Sequence, residues 1–167
     1  MRSYQRIQEL ICESTDILIP QGEINIPRNQ MPQLAYKDYP EFFDHLNQRG
    51  ISVTYKKIPV KNLRTSQRDI NKEKVLSWSK SLPSGVKDNP IIISADFYCV
   101  DGHHRWLSQL NKDELSSIVV YQIGLPIMEL LEVLKSFDNI TYKTIDEEKV
   151  TWPKYDSFNS PFQIMRS

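Results

Sequence analysis

The sequence predicts an α+β protein with a small mixed β-sheet and helices packed on it. Short β-rich runs and helical apolar patterns follow one another in the order strand, helix, strand, strand, helix, strand, helix, which is typical of this class. Hydrophobic residues make up 40% of the 167 residues, so the chain can bury a core without disulfides or structural metals. We expect residues 51–137 to form the core, residues 1–50 an N-terminal extension, and residues 138–167 a tail that wraps the domain.

The predicted extension consists of a helix, a proline-rich arm and a second helix. Residues 3–13 have apolar side chains at helical spacing, whereas residues 17–34 contain several prolines and are expected to be extended with turns. Within this arm the polar residues 28–30 stand between apolar ones, so the arm either packs over a site or forms an ordinary surface segment. Residues 40–49 begin with a proline and stop before Gly50, which predicts a helix.

The predicted core begins with a β-branched run over residues 51–63, which indicates one or two strands. A polar segment, Thr65-Ser66-Gln67-Arg68, follows as a turn before the next helix. This turn either receives phosphate oxygens or simply caps that helix. The remaining predicted elements are a helix over 71–82, a tight hairpin of strands 91–94 and 97–100, a helix from about His103, a strand over 116–124 and a helix over 126–137.

The segment Asp101-Gly102-His103-His104-Arg105 is the main candidate for chemistry. It lies where a predicted strand ends and a helix begins, and backbone N–H groups at a helix N-terminus attract anions. Gly102 permits the turn, Arg105 can clamp phosphate oxygens bidentately, and the two histidines add donors. Asp101 could ligate a magnesium ion or accept a proton from a hydroxyl. Alternatively, Asp101 caps the helix and the histidines are surface residues, but the strand-turn-helix context favours a phosphate site.

The run NPIIISADFYCVDGHHRWLSQL, which contains this segment, resembles the central hairpin and helix of the ParB/sulfiredoxin fold. The preceding run IPVKNLRTSQRDINKEKV resembles the first strand, polar turn and following helix of that fold. The resemblance covers roughly residues 52–136 and is most specific at the DGHHRW turn. It implies a small nucleotide-binding domain in which a Gly-x-x-Arg-type turn grips the nucleotide phosphates.

The resemblance implies several different activities. Chromosome-partitioning members bind and hydrolyse CTP and clamp DNA, and sulfiredoxins use ATP to phosphorylate a cysteine sulfinic acid. ParB-like free-serine kinases carry a matching Asp-x-His-His-Arg turn and phosphorylate a small hydroxyl substrate. Phage-encoded members are named ParB-like nucleases by resemblance alone, and some belong to DNA-modification pathways.

This sequence departs from the family at three points. His103 stands where sulfiredoxins have their cysteine, so that reaction is not expected. The stretch after the last predicted helix is short for the helix-turn-helix and dimerisation regions of partitioning proteins. The serine kinases place a glutamate base in the turn after the first strand, where this chain has residues 64–67 instead. Asp69 or Asp101 would have to replace that base.

We therefore predict a kinase-type phosphotransferase that uses ATP, or CTP, with Mg²⁺ and acts on a hydroxyl of a small molecule or of a modified base in DNA. In this hypothesis phosphate contacts come from Gly102, His103, His104, Arg105, Ser66 and Gln67, the metal ligand is Asp101, and the catalytic candidates are Asp101, His104 and Asp69. The first alternative is a ParB-like DNA-binding or nuclease module that grips DNA phosphates without nucleotide turnover. The second is a regulator that binds a nucleotide without turning it over.

The charge balance limits the partners of this chain. Its 21 basic and 21 acidic residues give a net charge of zero, so DNA contact would depend on a local patch such as the lysines around residues 56–61. No apolar stretch reaches the roughly 20 residues of a membrane span, and the N-terminus does not resemble a signal peptide. We expect a cytoplasmic protein that does not enter membranes.

Overall fold

The computed structural model describes residues 17–83 and 89–142. The helix predicted over residues 3–13 and the tail beyond residue 142 lie outside these ranges. The described residues form six strands and four α-helices, which confirms the predicted mixture of helices with a small sheet. In chain order they are β1 (Gln21–Ile26), α1 (Tyr39–Gln48), β2 (Val53–Pro59), β3 (Arg64–Gln67), α2 (Lys72–Lys80), β4 (Ile91–Ile93), β5 (Tyr98–Asp101), α3 (His103–Lys112), β6 (Ser117–Ile123) and α4 (Ile127–Lys135).

A single mixed sheet contains all of these strands, in the order β1-β3-β5-β4-β6-β2. β1, β3 and β5 are neighbours and run parallel. β4 is antiparallel to β5 and parallel to β6. At the far edge, β2 pairs antiparallel with β6 from Val53 opposite Ile123 to Pro59 opposite Ser117. The carboxyl ends of β1, β3 and β5 therefore lie at the same edge of the sheet.

Helices cover both faces of this sheet, because its central strands are apolar on both sides. The first face packs against α1 and α4 and includes buried residues of both helices and of β4 and β5: Phe42, Leu46, Ile92, Val100, Leu130 and Leu134. The second face packs against α2 and α3. There Trp106 is fully buried, and its indole N–H donates to the Val60 carbonyl at 2.8 Å. The second core also includes Leu63, Val75, Ile91, Ile93, Leu107 and Ile118.

The predicted hairpin of β4 and β5 is present, and its turn also organises α4. The Ser94 N–H donates to the Tyr98 carbonyl at 2.9 Å, and Phe97 adopts a positive φ of 67° to close the turn. The Asp96 carboxylate accepts the N–H of Ile127 at 3.0 Å at the start of α4. One turn therefore joins two strands and caps a distant helix.

One prediction of local structure is wrong: residues 65–67 are expected in a polar turn but belong to β3, where Thr65, Ser66 and Gln67 are buried. The proline-rich arm is extended as predicted, and part of it forms β1, which pairs in parallel with β3. In both cases backbone hydrogen bonds to distant strands offset the weak strand propensity of a polar or proline-containing segment. Within the described ranges, no helix has the length and apolar character needed to cross a membrane.

Candidate functional site

Several chemically important residues lie where the three parallel strands end. We call this region the carboxyl edge and define it by the residues that follow each strand: Arg28 after β1, Arg68 and Asp69 after β3, and Asp101 with Gly102 at the end of β5. The helices α2 and α3 also begin at this edge. Ligands of open α/β sheets commonly bind outside the carboxyl ends of parallel strands, so this edge is the natural place for a site.

The turn from β5 into α3 depends on Gly102. This residue has a φ of +97°, in the left-handed region that favours glycine. A Cβ atom there would lie 2.5 Å from Cγ2 of Ile91, so the position is also too crowded for a side chain. The first hydrogen bond of α3 runs from the Trp106 N–H to the Gly102 carbonyl at 3.0 Å. The backbone N–H groups of the first turn are therefore not used by the helix itself.

His103 is buried and connects α3 to β3. Its Nε2 atom lies 3.3 Å from the Ser66 N–H, which donates to it, and 3.4 Å from the Ser66 hydroxyl. Burial, helped by the nearby Arg28 charge, lowers the pKa of His103 to about 3. The ring is thus neutral at physiological pH, with its proton on Nδ1. It orders the turn and is not a cationic phosphate ligand in this arrangement.

His104 makes an equivalent connection to α2. Its Nε2 atom accepts the Asn71 N–H at 3.1 Å. Asn71 is the N-cap of α2, and its side-chain oxygen accepts the Lys74 N–H at 3.0 Å. The two adjacent histidines therefore hold the start of α3 against β3 and against the start of α2. The sequence places the two histidines side by side, but no local pattern indicates their backbone partners.

Asp101 faces a residue that sequence analysis missed. The Tyr39 hydroxyl, from the start of α1, donates a hydrogen bond to Oδ2 of Asp101. Burial and the neighbouring Asp101 charge raise the pKa of Tyr39 well above its ordinary value. Tyr39 therefore remains a hydrogen-bond donor to this carboxylate. The two residues are 62 positions apart, and no sequence pattern links them.

The candidates on the β3 side are also engaged in the fold. The Ser66 hydroxyl donates to the Cys99 carbonyl at 2.6 Å, and the Gln67 amide donates to the Asp69 carbonyl at 2.5 Å. The Asp69 carboxylate accepts the Arg28 N–H at 3.0 Å. Burial alone would raise the pKa of Asp69, but this hydrogen bond and the Arg68 guanidinium together lower it. Asp69 is thus an ionised anchor for the chain after β1.

Arg105 lies in the first turn of α3, but its side chain runs along the helix. The guanidinium donates to Oε1 of Gln109 at 2.9 Å. It lines a cavity of about 490 Å³ together with Trp78, Leu82 and Lys112. A phosphate at the carboxyl edge would bind Arg105 only after that side chain leaves Gln109.

Arg28 is the cation that the fold buries at the carboxyl edge. Only 7% of its surface is exposed, and its charge acts on His103. The sequence allows the arm around residues 28–30 to be either a cover for a site or a surface segment. The structure places Arg28 beside the candidate site, and the mixture of polar and apolar residues in the arm was the available signal.

No group of three or more histidine, cysteine, aspartate or glutamate side chains that could hold a metal occurs in the described part of the chain. A magnesium ion that arrives with a nucleotide needs fewer protein ligands, because phosphates and water supply the others. Comparisons with protein-family models, with curated proteins and with solved structures find no match to this chain. The likeness to the ParB/sulfiredoxin fold therefore stays a prediction.

Proposed function

We propose that this chain binds the phosphate groups of a nucleotide at the carboxyl edge and transfers a phosphoryl group from ATP to a hydroxyl. One observation carries this proposal: α3 begins at His103, with Gly102 as its N-cap directly after β5, where the parallel strands β1 and β3 also end. Such a helix start offers oriented N–H groups and a favourable dipole for phosphate. The DGHHR resemblance to ParB-like kinases supports the same reading.

The phosphate-binding groups in this proposal differ in part from those that sequence analysis favoured. The N–H groups at the start of α3 provide the main contacts, and Arg28 and Arg68 provide positive charge from the adjacent strand ends. His103 and His104 hold the turn in shape through their backbone acceptor roles. Arg105 contacts the phosphates only if its guanidinium first gives up its hydrogen bond to Gln109. The site thus uses preformed geometry, which phosphoryl transfer mainly requires.

Asp101 is the proposed general base. The acceptor hydroxyl oxygen attacks the γ-phosphorus of ATP, the bond to the bridging oxygen breaks, and ADP leaves. The hydroxyl proton passes to the Asp101 carboxylate, which the Tyr39 hydroxyl holds in position. Magnesium would neutralise the phosphate charge when bound, and Asp101 would hold it in the alternative role of metal ligand, in place of acting as the base.

Isothermal titration of ATP and CTP in the presence of Mg²⁺ tests the binding half of the proposal. Arg68→Ala removes an exposed cation of the carboxyl edge and should weaken binding roughly tenfold, since charge-assisted hydrogen bonds contribute about 1.5 kcal/mol or more. Arg49→Ala is the matched control, because Arg49 lies past the end of α1 at the opposite edge of the sheet. Wild-type protein that binds neither nucleotide would contradict the proposal and favour the module that grips DNA phosphates.

Transfer of labelled phosphate tests the catalytic half. Asp101→Asn keeps the size of the side chain and can still accept from Tyr39, but it cannot take up the proton. We expect it to retain nucleotide binding and to lose turnover by roughly 100-fold or more, as removal of a general base does. Unchanged turnover in Asp101→Asn would exclude this residue as the base.

A further inference from the structure

Four tyrosines form a continuous row beside the carboxyl edge. The ring centroids of Tyr36 and Tyr39 are 4.9 Å apart, those of Tyr39 and Tyr121 are 6.3 Å apart, and those of Tyr121 and Tyr55 are 5.2 Å apart. We call these four residues the aromatic row. Its inner member, Tyr39, is the residue that donates to Asp101. The row therefore has two exposed ends, Tyr36 and Tyr55, and contacts the proposed base through its buried inner member.

The strand register explains why the row passes close to Asp101. Asp101 is paired with Ile92 across β5 and β4, Ile92 with Tyr121 across β4 and β6, and Tyr121 with Tyr55 across β6 and β2. Adjacent strands lie about 4.8 Å apart, so Tyr55 is roughly 14 Å from Asp101 along this line. That span accommodates a few nucleotides of a bound strand.

The outer rings of the row are accessible. Tyr55 is 63% exposed and Tyr36 is 49% exposed, whereas Tyr39 is buried at the centre. Tyr121 is half-buried, as is Val119, which lies on the same face of β6. An exposed group of aromatic rings beside a polar site is typical of a binding surface.

The charges around the row are suited to a polyanion. Lys57 is two positions after Tyr55 and therefore projects from the same face of β2, and Lys37 follows Tyr36. Both lysines are exposed, and neither forms an ion pair within the described residues. The nearby acidic residues, Asp38 and Glu41, are directed instead towards Asn139 at 3.5 Å.

We infer that the aromatic row binds single-stranded DNA, with bases stacked on Tyr55, Tyr121 and Tyr36 and phosphates on Lys57 and Lys37. Base–tyrosine stacking tolerates any sequence, because each base has a π face. This inference rests on the proposed function for one point only: the acceptor is then a hydroxyl on a DNA base, presented to Asp101 beside Tyr39. A small soluble acceptor would not need an exposed row of this length.

Fluorescence anisotropy with a labelled oligothymidylate of about 15 nucleotides tests the inference on the full chain, without any added nucleotide. Tyr55→Ala should weaken binding roughly fivefold or more, and Tyr55→Phe should retain it because the ring remains. Lys57→Ala should weaken binding and reduce its salt dependence by about 0.7 in log–log slope. Lys56→Ala is the matched control, since Lys56 projects from the opposite face of β2.

The outcomes separate this inference from the proposed function. Absence of binding, equal losses in Lys56→Ala and Lys57→Ala, or tighter binding of duplex DNA or of an oligoribonucleotide would each overturn the inference. A chain that binds ATP but not the oligonucleotide contradicts the inference alone. A chain that binds the oligonucleotide through Tyr55 but binds no nucleotide contradicts the proposed function alone.

Discussion

At the scale of single residues, burial decides what the histidines of the DGHHR segment can do. A histidine on the surface of this turn would add a positive charge near pH 6 and attract phosphate. His103 instead is 5% exposed and accepts a backbone N–H from Ser66. Protonation would remove that acceptor and place a second charge next to Arg28. The sequence motif therefore indicates the location of a site better than it indicates the role of each residue.

This arrangement predicts that acid destabilises the protein through His103. The pKa of His103 is about 3 in the folded chain and about 6.5 in the unfolded chain, so the unfolded state binds more protons between these values. The stabilisation is present above pH 6.5 and is lost as the pH falls. We expect His103 to contribute a decrease of about 1.4 kcal/mol per pH unit in the free energy of unfolding. Urea denaturation at pH values between 6.5 and 4.5 measures this slope.

The variant His103→Gln isolates the contribution of this residue. Its amide oxygen can still accept the Ser66 N–H, but the side chain does not titrate. The variant should show a shallower dependence of unfolding free energy on pH than the wild type over the same interval. Identical slopes for the two proteins would mean that His103 is protonated as easily in the folded state as in the unfolded state.

At the scale of elements, the two glycines with positive φ differ in their surroundings. Gly50, which follows α1, has a φ of +74°, and an added Cβ would meet nothing within 4 Å. Gly102, which starts α3, has a φ of +97°, and its Cβ would overlap Ile91. Gly50→Ala should cost about 1 kcal/mol for the left-handed backbone alone. Gly102→Ala should cost this amount plus roughly 1 kcal/mol or more for the displaced Ile91. Thermal and urea unfolding of both variants measure the difference, and equal losses would show that the β5–α3 turn is not tightly packed.

Some elements can be predicted from a local sequence pattern, whereas others form only because they pair with distant segments. The helix before Gly50, the hairpin around Asp96 and the helix after Gly102 have local signals, namely apolar periodicity and turn residues. β3 has none because it is polar, and β1 has only the short alternation of Ile24 and Ile26 after Pro20. Both are strands because the Thr65 N–H donates to the Pro20 carbonyl at 2.9 Å and β3 lies between two partners. Pairing between distant segments is not visible in a local pattern.

The residues of the candidate site likewise include some that a local pattern predicts and others that it does not. The location of Asp101 and Gly102 between a strand and a helix was predictable from residues 97–110. The approach of Tyr39 and Arg28 was not, because each comes from a segment more than 60 positions away from Asp101 in the chain. The sheet order brings these segments together, and that order depends on packing of the whole core.

At the scale of the whole molecule, β1 and α1 take part in the same sheet and the same core as the rest of the described chain. The predicted division at residue 50 separates them from residues 51–137 as an extension. Two features favour opening of β1 separately from the rest of the sheet: β1 is an edge strand, and it pairs only with β3. Because Arg28 follows β1, any opening of this strand would also disturb the carboxyl edge.

Hydrogen exchange of neighbouring amides can decide whether β1 opens separately. The Thr65 and Arg68 N–H groups donate to the carbonyls of Pro20 and Ile26 at 2.9 and 2.8 Å, so they report the pairing of β3 with β1. The Arg64 N–H donates to the Phe97 carbonyl at 3.0 Å and reports pairing with the β5 side instead. We expect Thr65 and Arg68 to exchange together and at least roughly tenfold faster than Arg64, because edge elements open below the global free energy. Gly22→Ala, whose Cβ would overlap the Tyr98 ring, should accelerate only the first pair. Equal exchange of all three amides in the wild type would instead place β1 within the global folding unit and remove the boundary at residue 50.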